Sequence, residues 1–303
     1  MEKAEFHGGT PTAKQEQETR ERLARLSADP RILHLLQEQA IPAAELRQYP
    51  TQFDRWLLDQ RRCEGCRGLG QCKQKQRGMV PDLFYDGILQ PVLHPCAYLT
   101  QQEQRTAHLA GYLVNDMDPR LATVSFDAID VSHEDADYLQ VLKAALNAVQ
   151  KEEGLYLYGN MGTGKTYLAV CASNYYAKSG RRTAFVHWPT AVRRMRDALE
   201  DSEYRTELNR LTYAPFLVID DIGAESVTAW NRDDILLPLL NARMEAGRMT
   251  WFTSNEDFKT LENHFSVTSR GIEERQKAMR ILERIQKLAK PLEIIGSDRR
   301  RTL

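Results

Sequence analysis

One run constrains this chain more than any other: 159-GNMGTGKT-166, entered through 155-LYLY-158 and left through 167-YLAVCASNYYAK-178. An apolar strand that stops at Gly159 and a helix that starts near Lys165 enclose a loop rich in glycine. Glycines let successive N–H groups curl inward toward anionic oxygens. In the pattern G-x-x-x-x-G-K-[ST], Gly159, Asn160, Met161, Gly162, Thr163 and Gly164 are expected to cradle phosphates. Lys165 reaches the β- and γ-phosphates, Thr166 ligates Mg²⁺, and the helix N-terminus adds its positive dipole end. The strand before and the helix after distinguish this from a chance glycine turn. Cys171, on the same helix, reads as a small packed hydrophobe.

Such a cradle needs an acid at the end of a neighbouring strand, and 216-FLVIDD-221 supplies two. Asp220 is expected in the Mg²⁺ shell. Asp221 either orients the attacking water or caps the next turn. No N-K-x-D guanine-reading element and no L-S-G-G-Q run occur, which weakens a GTPase and a transporter-type ATPase reading; ATP is implied by the resemblance below. Instead, 253-TSN-255 closes a strand, and Asn255 is placed to sense a γ-phosphate. A basic helix follows, 275-RQKAMRILERIQKLAK-290, with Arg280 and Arg284 one turn apart. Arginines there can complete a neighbouring subunit's site, because developing phosphoryl charge needs a cation; the bland alternative is a solvated basic face.

From about Ala136 the strand candidates 155–158, 183–188, 215–220, 249–254 and 292–295 alternate with helical segments. Nearly continuous apolar strands in that alternation predict an α/β fold with a parallel sheet covered on both faces. Residues 13–62 read as helices, 63–100 as a glycine-, proline- and cysteine-punctuated module with β-like pieces, and 101–117 as helical. The polar stretch 118–135 reads as a linker, giving domains 1–117 and 136–303.

The run YGNMGTGKT … FLVIDDIGAE … TSN … MRILERI resembles the AAA+ ATPases that load the bacterial replicative helicase, the DnaI/DnaC-type loaders. The resemblance covers residues 155–295 and implies an AAA+ P-loop three-layer sandwich behind a small, mostly helical zinc-binding domain. It implies sensor-1 duty for Asn255 and a division of sensor-2 and arginine-finger roles between Arg280 and Arg284, with the assignment open. Implied partners are the hexameric replicative helicase, single-stranded DNA and neighbouring copies of the chain. Two departures stand out. The usual Asp-Glu of the acid strand is Asp220-Asp221 here, which predicts slow, switch-like hydrolysis. After the arginine helix only a strand and DRRRTL remain, so the ATP pocket is expected to stay open until a neighbour closes it.

Cys63, Cys66, Cys72 and Cys96 fall in one window, and four soft thiolates suit tetrahedral Zn²⁺. His94 is the alternative fourth ligand to Cys96. The resemblance agrees, since DnaI-type loaders carry an N-terminal zinc module and the DnaC branch lacks it. Arg61, Arg62, Arg67, Lys73, Lys75 and Arg77 make the window basic, for nucleic acid, an acidic protein face or simple solvation.

Single-stranded DNA would be met by Arg193, Arg194 and Arg196, with Trp188 and Tyr204 nearby for stacking; an ordinary amphipathic helix is the alternative. In initiator- and loader-type AAA+ proteins this region lines the assembly's channel. Net charge is −1, so no global field favours nucleic acid. No apolar run is long enough for a bilayer and no leader-like segment opens the sequence, which predicts a cytoplasmic protein. Two rival readings are an ATPase helper of DNA transposition and a zinc-stabilised adaptor that uses ATP only structurally.

Overall fold

A computed structural model of the chain describes residues 12–132, 134–199, 203–271, 273–296 and 298–299. It divides into two compact units, residues 1–104 and 105–303. Both chain ends, including most of the tail DRRRTL, lie outside the described residues.

In the first unit, α1 (Ala13–Ala28), α2 (Pro30–Glu38), α3 (Ala43–Gln48) and α4 (Pro50–Arg61) precede an antiparallel hairpin, β1 (Met79–Tyr85) and β2 (Leu89–Pro95), and α5 (Ala97–Thr106). Asp29 accepts from the Arg31 N–H and starts α2, where Pro30 at the first helical position loses no hydrogen bond. Leu26, Ile32, Leu35, Phe53 and Leu57 from the helices meet Leu83 and Leu89 from the hairpin in one small core.

The second unit is the expected parallel sheet. Its strands are β3 (Tyr112–Asn115), β4 (Leu155–Tyr158), β5 (Thr183–His187), β6 (Phe216–Asp220), β7 (Met249–Ser254) and β8 (Lys290–Glu293). They lie in the order β3-β5-β6-β7-β4-β8, all neighbours parallel. Residues alternate strictly between two cores, as a pleated strand buried on both faces requires. Tyr156, Ala184, Val186, Leu217, Ile219 and Phe252 face α8 (Trp188–Asp197), α9 (Glu203–Tyr213), α10 (Leu237–Glu245), α11 (Phe258–Ser266) and α12 (Arg275–Leu288). Leu155, Leu157, Phe185, Val218 and Trp251 face α6 (Ala136–Lys151) and α7 (Lys165–Lys178).

The division between units differs from the expected boundary at residues 117 and 118. Residues 112–115, expected to be helical, form the edge strand β3 beside β5. The expected linker is not a free tether: Leu121, Val124, Phe126 and Ile129 pack against the core under α6 and α7. Among the described residues no helix is long and apolar enough to cross a membrane.

Candidate nucleotide site

The order of the strands builds the site. β7 lies between β4 and β6, so the strand that ends in the glycine loop and the strand that ends in the two aspartates flank the one that ends in Asn255. All three open at the same edge of a parallel sheet, which is where such sheets place ligands.

Gly159, Gly162 and Gly164 have φ of 140°, 84° and 100°, a region that side-chain-bearing residues rarely adopt. Space demands glycine at 159 as well, where a Cβ would collide with the Ile294 backbone carbonyl; at Gly162 a Cβ would meet only the carboxylate end of the Asp298 side chain. The Lys165 ammonium donates to the carbonyls of Gly159 (2.9 Å) and Asn160 (2.7 Å), which stations its charge over the loop. Thr163 is fully buried and its hydroxyl donates to the Asn160 carbonyl at 3.0 Å, pinning the curl. Met161 is exposed at the tip.

Asp220 ends β6 with 5% of its surface exposed. Its Oδ1 accepts hydroxyl protons from Thr166 (2.8 Å) and Thr253 (2.7 Å). Burial pushes its carboxyl up from the ordinary carboxylate range, opposed by those two donors. A hard-oxygen pair of hydroxyl and carboxylate at the base of a phosphate loop suits Mg²⁺, which would neutralise phosphate charge there.

Asp221 is one of the non-glycine residues with positive φ, 61°. Its N–H donates to Thr253 Oγ1 (2.9 Å) and its carboxylate accepts from Asn255 Nδ2 at 3.2 Å. The strained backbone turns this side chain away from the buried Asp220 and toward the open edge, where two different neighbours hold it. His187, at the end of β5, places Nε2 3.8 Å from Asp221 Oδ2 and its Nδ1 2.7 Å from Thr190 Oγ1. The Asp221 carboxylate raises the imidazole's pKa, against the effect of burial. Glu225 is buried nearby, accepting from Trp188 Nε1 (3.0 Å) and the Gly223 N–H (2.9 Å); burial raises its carboxyl. Thr253, His187 and Glu225 were not singled out from the sequence. A threonine two residues before Asn255 was the one available hint.

The two arginines of α12 are differently placed. Arg284 Nε donates to Asn241 on α10 (3.0 Å), an internal tie, while Arg280 is exposed. Of the three arginines expected to meet DNA, Arg193 and Arg196 are exposed. Arg194 is not available: it grips both oxygens of Asp116 (3.1 and 3.0 Å) and pairs with Glu207. Trp188 is buried in the core under α8, and Tyr204 is partly buried against the same core, so neither is the expected stacking platform. Helical period explains Trp188, which shares the inward side of α8 with Ala191, Val192 and Met195; Arg194 is held instead by its two carboxylate partners.

The cysteine window also departs from expectation. Among the described residues, no group of three or more His, Cys, Asp or Glu side chains is gathered closely enough to hold a metal ion. Cys63 Sγ faces Gln74 Nε2 (3.2 Å), Cys66 Sγ faces the Gly68 carbonyl (3.7 Å), and Cys72 Sγ accepts the Gly78 N–H (3.3 Å). Each thiol serves its own turn. The Cys96 N–H donates to the Gly78 carbonyl, and His94 pairs with Asp82 across the hairpin at 3.4 Å. The donor set has the right chemistry for zinc, but among the described residues the arrangement does not converge.

The chain is similar to proteins of known family. The replicative helicase loader DnaI of Bacillus subtilis (strain 168) is 29% identical over 276 residues, which cover 87% of this chain and 86% of that one. A crystal structure of DnaI superposes with a TM-score of 0.54 at 32% identity, over 61% of this chain and 98% of that chain. A Pseudomonas aeruginosa insertion-sequence IS21 protein, named as ATP-binding, is 28% identical over 163 residues, 52% of this chain and 60% of that one. Residues 85–302 match the IstB-like ATP binding proteins over the whole glycine loop, both aspartates and the arginine helix. The chain belongs to the IstB-like ATP-binding protein family.

Proposed function

We propose that this chain is an ATP-dependent loader that binds the hexameric replicative helicase and delivers it to single-stranded DNA. The observation that carries the reading is the extent of the likeness to the B. subtilis loader. At 87% of the chain it reaches into the N-terminal unit, whereas the likeness to the insertion-sequence protein spans 52%. A shared nucleotide unit alone fits either protein, but a shared front end fits the loader.

In this reading the AAA+ unit binds ATP·Mg²⁺ through Gly159–Thr166 and Asp220. Asp221 orients the attacking water, and Asn255 holds Asp221 and senses the γ-phosphate. Copies of the chain associate side by side, and Arg280 reaches the neighbour's phosphates, because it is the exposed member of the α12 pair. Hydrolysis is slow, since the shorter Asp221 replaces a glutamate at the water-orienting position. The N-terminal unit grips the helicase. Binding of ATP and DNA biases the assembly toward one conformation, and hydrolysis releases it.

Native mass spectrometry with the host's replicative helicase, with and without ATP, tests the reading. Several copies per helicase ring, lost in Lys165→Ala, are the expected result. No complex under either condition sinks it and favours a transposition helper, to be tested next with a transposase. Equal affinity with and without ATP, unchanged in Lys165→Ala, favours the adaptor.

A further inference from the structure

After β8 the chain does not leave the nucleotide site but runs along it. The Ile294 N–H donates to the Tyr158 carbonyl at 2.7 Å, extending the sheet register past the strand's end, and the Ile294 carbonyl lies against Gly159. Four residues further, the Asp298 carboxylate lies against Gly162. The Arg299 N–H donates to the Gly162 carbonyl at 2.9 Å, and Arg299 Cδ lies 3.6 Å from where a Gly164 Cβ would be. Among the described residues, Gly159 is therefore approached by Ile294, and Gly162 and Gly164 by Asp298 and Arg299.

The segment is anchored on its far side. The Arg299 guanidinium stacks on the Tyr138 ring, 3.5 Å from its centroid, and pairs with Glu134 just before α6. A cation over an aromatic face and beside a carboxylate is held by two attractions that share one geometry. Tyr138 is 3% exposed beneath it.

The chemistry of this contact opposes that of the loop. Glycine backbone, a helix N-terminus and Lys165 make a site for anionic phosphate, and the segment brings a carboxylate against it. A nucleotide triphosphate and Asp298 carry like charges and compete for the same low-dielectric surroundings.

We propose that Asp298 and Arg299 form a strap across the phosphate loop, clasped to Tyr138 and Glu134, which a bound nucleotide displaces. The proposal rests on the nucleotide-site reading above. Its consequence is that apparent nucleotide affinity is reduced by the fraction of chains in which the strap is closed. Opening it also uncovers Tyr138 and frees the Arg299 guanidinium, so that nucleotide occupancy is signalled at the start of α6.

The test uses the full chain and titrates fluorescent mant-ATP with Mg²⁺ into wild type, Asp298→Asn, Arg299→Ala and Lys165→Ala. Hydrogen exchange of residues 294–299 is followed with and without ATP. The strap predicts Kd values about three- to tenfold tighter for both strap variants, as expected when a closed fraction of roughly 70–90% is removed. It also predicts faster exchange across the segment once ATP is bound. Equal or weaker binding by both strap variants, with wild type binding and Lys165→Ala not, overturns the strap and leaves the nucleotide site standing. No binding by any folded variant overturns the nucleotide reading itself.

Discussion

Thr253 donates its hydroxyl proton to Oδ1 of Asp220 at 2.7 Å, joining the strand of the expected γ-phosphate sensor to the strand of the expected Mg²⁺ acid. The same oxygen accepts from Thr166. A carboxylate this buried is tolerated because two hydroxyls face it, yet its raised pKa means that its charge still costs stability. A folded-state pKa above the unfolded value makes that cost complete above the folded pKa and relieved as pH falls through it. Asp220→Asn is therefore expected to raise the urea midpoint at pH 8 while abolishing hydrolysis. Its advantage over wild type should shrink toward pH 4. Thr253→Val should lower stability by about 1–3 kcal/mol by leaving the charge one donor short, and Thr253→Ser should restore it. A lower midpoint for Asp220→Asn at pH 8 would contradict this account.

His187 stands beside the Asp221 carboxylate, with Nε2 3.8 Å from Oδ2. The imidazole pKa is raised by the carboxylate, so the attraction is fully present below the unfolded histidine value near 6.5 and is lost as pH rises through the folded value. Wild type should thus lose stability relative to His187→Gln between about pH 6 and 8. Because the polar partners of the His187 ring are Asp221 and Thr190, His187→Gln should lower ATP turnover and leave the Kd for ATP unchanged. Matched pH–stability curves for the two proteins would refute the pairing.

β8 reads two residues late in the sequence, at 292–295, because Lys290–Glu293 is a mostly exposed edge strand defined by its pairing with β4. By contrast, β4, β5, β6 and β7 were legible because each is an apolar run bounded by turn formers. β3 was not: Tyr112–Asn115 is four residues long, follows a helix without a break, and becomes a strand because β5 offers it an edge. The segment 118–135 carries no period to read, since short 3-10 turns rather than a helix pack Phe126 and Ile129 against the core. The glycine loop, Asp220, Asp221 and Asn255 were legible as a motif because their spacing along the chain is fixed. Their partners Thr253, His187 and Glu225 come from strand order, which the sequence does not spell out. Arg243 is a sharper case. No motif or spacing marks it, yet it is fully buried and donates to Thr250 Oγ1 and to the carbonyls of Leu211, Ala214 and Met249. Spacing in the cysteine window suggested a metal site, but convergence of thiols is a property of the fold and not of spacing.

The arginines of α8 should separate into two kinds. Arg194 holds two carboxylates that would be left without it, so Arg194→Ala should cost about 1–3 kcal/mol in urea denaturation. Arg193→Ala and Arg196→Ala, at exposed positions, should change stability by less than about 0.5 kcal/mol. If this face meets single-stranded DNA, each of these two should weaken binding and reduce the salt slope by about 0.7. Fluorescence anisotropy with labelled oligonucleotides at several salt concentrations measures both. An unchanged slope in the double variant would remove α8 from the DNA surface.

Arg280 and Arg284 can be told apart by mixing. Arg284 is tied to Asn241 within its own chain, so Arg284→Ala should lose modest stability and whatever positioning α10 gives to α12. Arg280 is exposed, and its proposed target is a neighbouring copy's phosphates. Arg280→Ala should bind ATP normally but turn over at least tenfold more slowly, as loss of a cation facing developing phosphoryl charge implies. Lys165→Ala should bind no ATP yet retain an intact Arg280. In a mixture of the two inactive proteins, an Arg280→Ala site can receive its arginine from a Lys165→Ala neighbour, and turnover should partly return. Recovery requires an arginine that works across a subunit boundary, because neither chain alone carries a complete site. Absence of recovery under conditions where the wild type self-associates would place the missing cation elsewhere on the chain.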